Sequence, residues 1–198
     1  MIRCTRFAVT LLLLSCVTLL QSGCVPLLVG GAVVGGVVGG AAVATDRRSA
    51  GAQLDDEVIE DKSGLAIAER FKEDFHVNIA SFNAIVLLTG EVPSTSAKAD
   101  VEQLVRGNPK VRAVQNELVV GPVTDLGSRS NDTLITSKVK ARFVEANKFQ
   151  INFVKVVTEN GVVYLMGIVR REEGDAAAEI ARTTSGVQRV VKVFEYIS

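Results

Sequence analysis

Two stretches of the sequence repeat one pattern, and this repeat limits the chain to folds built from two copies of the same unit. The first stretch runs from Asn78 to Val92 and the second from Lys155 to Val169. Each contains two β-rich segments joined by a short polar turn, which is Asn83-Ala84 in the first and Asn160-Gly161 in the second. Asn-Gly between apolar segments indicates a two-residue hairpin, because both residues tolerate positive φ. The sequence therefore predicts a β-hairpin in each half.

The segments around each hairpin complete the same unit. A helix is predicted before each hairpin and another after it, and a further strand closes each copy. The helices are predicted at residues 58–71, 94–106, 132–145 and 172–184, and the closing strands at residues 115–120 and 191–197. The predicted unit is α-β-β-α-β, a three-stranded mixed sheet covered by two helices, and the fold class is α+β.

Shared short motifs make both units resemble the BON domain family of bacteria. The motifs are the Leu-x-Gly at the end of each hairpin (Leu88-Thr89-Gly90 and Leu165-Met166-Gly167) and a later Val-x-x-Val (Val111/Val114 and Val187/Val190). The resemblance covers residues 54–198. It implies a first BON domain at residues 54–122, a linker at 123–130 and a second BON domain at 131–198.

The N-terminal region has the composition of a leader. Two arginines, Arg3 and Arg6, precede an apolar run over residues 7–20, and small residues follow before Cys24. This order of basic, apolar and small residues is typical of a signal peptide. Its end on a cysteine resembles a bacterial lipobox. Residues 1–23 are therefore predicted to be removed, and Cys24 is predicted to be acylated.

Two details of this region leave alternatives open. A lipobox usually has Leu three residues before the cysteine, where this chain has Gln21, so Cys16 stays an alternative lipidation site. Val25 follows Cys24, and the absence of Asp there favours the outer membrane. The apolar, glycine-rich residues 24–53 are predicted to form a tether at the membrane surface. Their small-xxx-small spacing leaves a membrane-spanning or oligomerising helix as the alternative.

The residue types argue against catalysis and against nucleic acid as a partner. The chain has 22 Lys and Arg against 22 Asp and Glu, so no overall positive charge indicates nucleic-acid binding. The only histidine, His76, is interpreted as structural, and no cysteine follows Cys24. The acidic cluster over residues 55–61 lacks the spacing of a calcium loop. The sequence therefore predicts no enzyme activity, no cofactor and no metal site.

The helix predicted at residues 132–145 carries the most specific functional signal. On a helical wheel, Ile135, Val139 and Phe143 mark the core stripe, while cations and isolated apolar residues lie off it. The predicted lipid-binding residues are Leu134, Lys138, Val139, Lys140, Arg142 and Val144. Apolar groups on such a face can enter the acyl boundary while the cations meet phosphate headgroups.

The resemblance implies a function at the bacterial envelope. It implies a periplasm-facing outer-membrane lipoprotein that binds anionic phospholipid through its second BON domain, with phosphatidylglycerol as the candidate. Such a protein would help to maintain envelope integrity, and the division site is one candidate place of action. The alternative is a structural adaptor that docks onto envelope proteins, such as an amidase regulator or the outer-membrane assembly machinery. The net charge of −5 over residues 46–127 suits the second hypothesis.

Overall fold

The computed structural model describes residues 46–71 and 75–198, which form two α+β domains. The first domain contains α1 (Ala50–Arg70), β1 (His76–Phe82), β2 (Ile85–Val92), α2 (Thr95–Arg106), β3 (Ala113–Asn116) and β4 (Val119–Val120). The second contains α3 (Leu126–Ala146), a short 3-10 helix (Ile151–Phe153), β5 (Val154–Glu159), β6 (Val162–Arg170), α4 (Arg171–Arg182) and β7 (Arg189–Ile197). The predicted α+β fold class is confirmed. The signal peptide, Cys16 and Cys24 lie outside the described residues.

Both sheets have the same mixed topology. The hairpin strands are antiparallel, and the closing strand runs parallel to the second strand of the hairpin. In the second domain β7 is continuous, whereas the first domain divides the closing strand into β3 and β4. The division occurs because the side chain of Asn116 accepts a hydrogen bond from the backbone N–H of Leu118, which turns the chain locally. Leu118 is thereby buried in the core of the first domain.

An aspartate from each opening helix holds the hairpin turn. The turn residues 83–84 and 160–161 have positive φ, as the predicted hairpins require. The carboxylate of Asp56 lies 2.7 and 2.8 Å from the two backbone nitrogens of the first turn. The carboxylate of Asp132 lies 2.7 and 2.8 Å from those of the second. Each opening helix is therefore attached to the tip of its own hairpin.

Two helices begin earlier than the sequence pattern predicted. The side chain of Ser49 caps α1, whose first turn falls within the predicted tether of residues 24–53. The side chain of Asp125 caps α3, whose first turn falls within the predicted linker of residues 123–130. The difference has a local cause. Ser and Asp at an N-cap accept hydrogen bonds from otherwise unpaired N–H groups, so glycine- and serine-containing segments can begin a helix there.

The two sheets pack against each other through the faces that the helices leave uncovered. Each domain has its own core between its sheet and its helices. A third apolar cluster lies between the sheets and contains Ala80, Phe82 and Leu87 from the first domain with Tyr164 and Met166 from the second. The second strand of each hairpin, β2 or β6, is therefore buried on both faces along most of its length. This explains why β6 and the first half of β2 are apolar runs that do not alternate with polar residues.

Candidate functional site

The outer face of α3 exposes four of the residues that the sequence predicted for lipid binding. Leu134 and Val144 are 59% and 63% exposed. Lys138 and Lys140 are exposed as well, and within the described residues neither amino group forms an ion pair. Leu134 lies one helical turn before Lys138, and Lys140 lies one turn before Val144. The face therefore pairs an apolar side chain with a cation at two places.

The small residues of α3 make this face continuous. Successive helical residues are about 100° apart, so Ser137 and Ala141 fall between Leu134 and Val144 on the outward side. Both are exposed. The exposed Glu145 is the acidic residue beside them. We use the name α3 outer face for Leu134, Ser137, Lys138, Lys140, Ala141 and Val144. It is a mostly apolar strip with a lysine towards each edge.

Val139 lies on the opposite side of the helix. Its side chain is fully buried in the core of the second domain, together with Ile135 and Phe143. The three residues are spaced four apart, so they share the stripe of α3 that faces the sheet and α4. Val139 therefore does not reach the surface and stands apart from the other residues of the predicted lipid-binding group.

Arg142 is engaged within the second domain. Its Nη1 lies 2.8 Å from the carbonyl oxygen of Ile180, 3.0 Å from the Thr183 hydroxyl and 2.9 Å from the Thr184 hydroxyl. The guanidinium therefore caps the C-terminal end of α4, where carbonyl groups lack helical partners and a positive charge is favourable. A helical wheel cannot reveal this contact, because it depends on where α4 ends in space.

The residues that precede α1 contact both domains. The Arg47 guanidinium lies 2.6 and 2.8 Å from the carboxylate oxygens of Glu173 in the second domain and 3.7 Å from the ring centroid of Phe153. The hydrogen bond from Arg47 holds the pKa of Glu173 below its usual range, although burial acts in the opposite direction. Arg48 pairs with Asp56 of the first domain at 2.8 Å. The segment that follows the predicted anchor therefore contacts the second domain through Arg47 and the first domain through Arg48.

The same segment passes close to α3. Asp46, Lys140 and Ile151 line one open cleft. The predicted anchor therefore connects to the folded region beside the α3 outer face. Among residues 46–71 and 75–198, no helix is both long enough and apolar enough to cross a bilayer.

The repeated architecture defines the class of protein. Residues 55–122 and 131–198 each match the BON domain, and the chain belongs to the BON domain family. This confirms the resemblance seen in the sequence motifs. The matched residues begin at 55 and 131, whereas α1 begins at Ala50 and α3 at Leu126. The first turn of each opening helix therefore lies before the matched domain.

Three relatives show which members of the BON domain family this chain is similar to. The chain is 40% identical over 168 residues to outer membrane lipoprotein DolP of Haemophilus influenzae, covering 84% of this chain and 87% of that protein. It is 37% identical over 154 residues to a 21 kDa hemolysin of Actinobacillus pleuropneumoniae, covering 77% and 79%. It is 26% identical over 155 residues to osmotically-inducible protein Y of Escherichia coli, covering 76% and 77%.

These findings show a lipid-anchored outer-membrane lipoprotein with two BON domains. The predicted location at the outer membrane is confirmed. The three relatives are named for a membrane location, a lytic property and a pattern of induction, and none is named for an enzymatic reaction. The absence of enzyme activity stays a prediction.

Proposed function

We propose that this lipoprotein binds anionic phospholipid, such as phosphatidylglycerol, through the α3 outer face and so helps to maintain the envelope. The observation that carries the proposal is the exposure of Leu134 and Val144 beside two lysines that form no ion pair with any residue the structure describes. An interfacial helix lays its apolar residues at the acyl boundary while its cations meet the headgroups. The lysines are long enough to reach phosphate from the edges of the strip.

The expected strength of this contact is modest. A lysine near an anionic membrane surface contributes about 1 kcal/mol, and a fully buried Leu or Val side chain about 1.5–3 kcal/mol. Such a contact needs a second attachment to persist. We propose that acylated Cys24 supplies it, because an anchor makes the second contact intramolecular and raises its effective concentration. The entry of the anchored segment beside Lys140 supports this arrangement.

Vesicle flotation tests the lipid contact without the anchor. A fragment of residues 46–198 should float with phosphatidylglycerol-containing vesicles and should dissociate as the salt concentration rises, because screening weakens contacts between exposed charges. It should not float with neutral phosphatidylcholine vesicles. Lys138→Glu and Lys140→Glu should weaken binding. Lys62→Glu, at an exposed lysine of α1, is the matched control and should not. Equal flotation with neutral and anionic vesicles would refute the proposal.

A second candidate function is docking onto an envelope protein. It is favoured by an exposed apolar strip at the end of the first domain, formed by Val119 and Val120 of β4 and by Val123 after it, at 60%, 47% and 40% exposure. This strip lies in the acidic half of the chain, which an anionic membrane would repel. Crosslinking in cells distinguishes the two functions. A stoichiometric protein adduct that survives Lys138→Glu and is lost in Val120→Asp would favour docking.

A further inference from the structure

Three side chains with ligand atoms meet where the two domains contact each other. His76 begins β1 and Glu91 lies near the end of β2, both in the first domain, whereas Glu159 ends β5 in the second. The Nδ1 atom of His76 lies 2.9 Å from Oε2 of Glu91 and 3.9 Å from Oε1 of Glu159. One ligand atom from each residue lies within 4.8 Å of the other two. We call these three residues the interdomain cluster.

The hairpin geometry brings the first two residues together. His76 and Glu91 are cross-strand partners in the β1–β2 ladder. The adjacent Gly90 has a φ of +111°, and a Cβ atom there would lie only 2.0 Å from the carbonyl oxygen of His76. Glycine is therefore required for the close approach of β1 at this point. The Leu-x-Gly motif of the first domain thus places the imidazole against the Glu91 carboxylate.

Neighbouring side chains hold both carboxylates in position. Oε2 of Glu159 accepts hydrogen bonds from Nδ2 of Asn78 at 2.6 Å and from the Thr89 hydroxyl at 3.2 Å. Glu91 accepts hydrogen bonds from the backbone N–H and the hydroxyl of Thr124. Metal sites commonly depend on such outer partners, which orient the ligands before the ion arrives.

The charge of the interdomain cluster is unbalanced. The side chains of His76, Glu91 and Glu159 are only 14%, 7% and 8% exposed. Two carboxylates outnumber one imidazole, so the sum of their charges is negative whether or not the ring is protonated. Arg129 lines the adjoining cleft, but its guanidinium donates to the carbonyl oxygen of Thr124. Because buried negative charge is unfavourable without compensation, this place favours a cation.

We propose that the interdomain cluster binds one divalent transition-metal ion of the Zn²⁺ type, which joins the two domains. Zinc bonds to nitrogen and carboxylate oxygen are about 2.0–2.2 Å long, so tetrahedral ligand atoms lie about 3.3 Å apart. The observed separations of 2.9 and 3.9 Å bracket that spacing. In the occupied site the ion replaces the hydrogen bond between Nδ1 of His76 and Glu91, and both atoms become ligands.

The remaining coordination position and the choice of metal follow from the surroundings. A cleft of about 350 Å³ opens beside His76, Asn78 and Glu159, and it gives access to the ion and room for a water ligand. An imidazole with two carboxylates suits Zn²⁺ better than Ca²⁺ or Mg²⁺, which prefer sites made wholly of oxygen. This proposal is independent of lipid binding, because α3 contributes no ligand.

Calorimetric titration of the mature lipoprotein tests the site. The lipidated protein is purified in an uncharged detergent, stripped with a chelator and titrated with zinc chloride. We expect one saturable equivalent of Zn²⁺ per chain and a higher Tm in its presence, since a ligand that binds the folded state stabilises it. Absence of saturable binding by this protein would overturn the proposal.

Substitutions distinguish zinc binding by the interdomain cluster from zinc binding by other carboxylates. His76→Asn removes the only histidine of the chain, and Glu159→Gln removes the ligand from the second domain while keeping an acceptor for Asn78 and Thr89. Each should weaken zinc binding about tenfold or more. Glu172→Gln, at an exposed carboxylate, is the matched control and should bind as the wild type does. Zinc affinity that both site variants retain would show adventitious binding and would overturn the proposal.

Discussion

Asp56 and Asp132 occupy equivalent positions in the two domains, and each carboxylate accepts hydrogen bonds from both backbone N–H groups of its hairpin turn. Both side chains are buried. The interaction connects the opening helix of each domain to the hairpin, which a type I′ turn by itself does not do.

Removal of either carboxylate should therefore destabilise the protein. Asp132→Ala leaves the buried N–H of Gly161 and the partly buried N–H of Asn160 without an acceptor and should lower the free energy of unfolding by about 2–4 kcal/mol. Asp56→Ala should cost more, because Asp56 also accepts from the Ser81 hydroxyl and the Arg48 guanidinium. Urea denaturation measures both. Asp55→Ala is the control, since its half-exposed ion pair with Lys110 contributes at most about 1 kcal/mol. Equal effects of all three substitutions would contradict the assignment.

The Asp56 interaction should also make stability depend on pH. Burial by itself raises the pKa of Asp56, but hydrogen bonds from the Ser81 hydroxyl, the turn N–H groups and Arg48 outweigh it and leave the pKa below its ordinary value. A carboxyl with a lowered pKa stabilises the fold above its unfolded pKa of about 4, and the stabilisation is lost as the pH falls through the folded value. The difference in stability between wild type and Asp56→Asn should therefore be constant near neutral pH and shrink below pH about 4. A difference that grows under acidic conditions would be inconsistent with this linkage.

Leu134 offers a test of the α3 outer face. Leu134→Glu places a negative charge where an apolar group would enter the acyl boundary, so the 46–198 fragment should lose flotation with anionic vesicles. Its Tm should change little, because surface substitutions usually alter stability by no more than about 0.5 kcal/mol. Leu65→Glu is the matched control, at a leucine of α1 that is 65% exposed, and it should bind as the wild type does. Unfolding of the Leu134→Glu fragment would show instead that this leucine is needed for packing.

Substitutions of Arg142 and of Lys138 should have opposite effects, one on stability and the other on lipid binding. Arg142→Gln removes the guanidinium that caps α4, so it should lower the free energy of unfolding by about 1–2 kcal/mol. Its binding to anionic vesicles, measured below the unfolding transition, should stay close to that of the wild type. Lys138→Gln should give the reverse pattern, with unchanged stability and weaker binding. If Arg142→Gln binds as poorly as Lys138→Gln does, Arg142 contacts lipid as well.

Substitution of Cys24 should change the location of the mature protein. Cys24→Ser should prevent acylation, remove the labelling by radioactive palmitate and shift the protein from the membrane fraction to the soluble periplasmic fraction. A Cys16→Ser precursor is the control and should be labelled normally. Labelling that persists in Cys24→Ser and disappears in Cys16→Ser would identify Cys16 as the acylated residue.

Much of the local structure was predictable, because it depends on residues close together in the chain. Asn160-Gly161 between apolar segments predicts a two-residue hairpin, and the recurrence of two β-rich segments around Asn83-Ala84 predicts two copies of one fold. A repeated signal that could also have been used is the Asp in each opening helix, since Asp56 and Asp132 precede Asn83 and Asn160 by nearly the same distance in the sequence. The exposure of Leu134 and Val144 followed from the helical period alone.

The helix starts were less predictable, because they depend on capping. Gly and Ser near residues 49–51 and 127–130 are typical of turns, yet the side chains of Ser49 and Asp125 accept hydrogen bonds that start a helix at each place. A lone sequence does not show which of these competing hydrogen bonds forms.

The sequence by itself determined that this protein has two BON units and an exposed α3 outer face, and it predicted an export signal with a cysteine for lipidation. Only the tertiary structure decided how these parts contact one another. The helix-free faces of the sheets bury Phe82 against residues of the second domain, and Arg142 caps α4. His76 of the first domain likewise contacts Glu159 of the second. The physical reason is that side-chain contacts between elements distant in the chain depend on positions in space, whereas helical period, turn type and leader composition are properties of neighbouring residues.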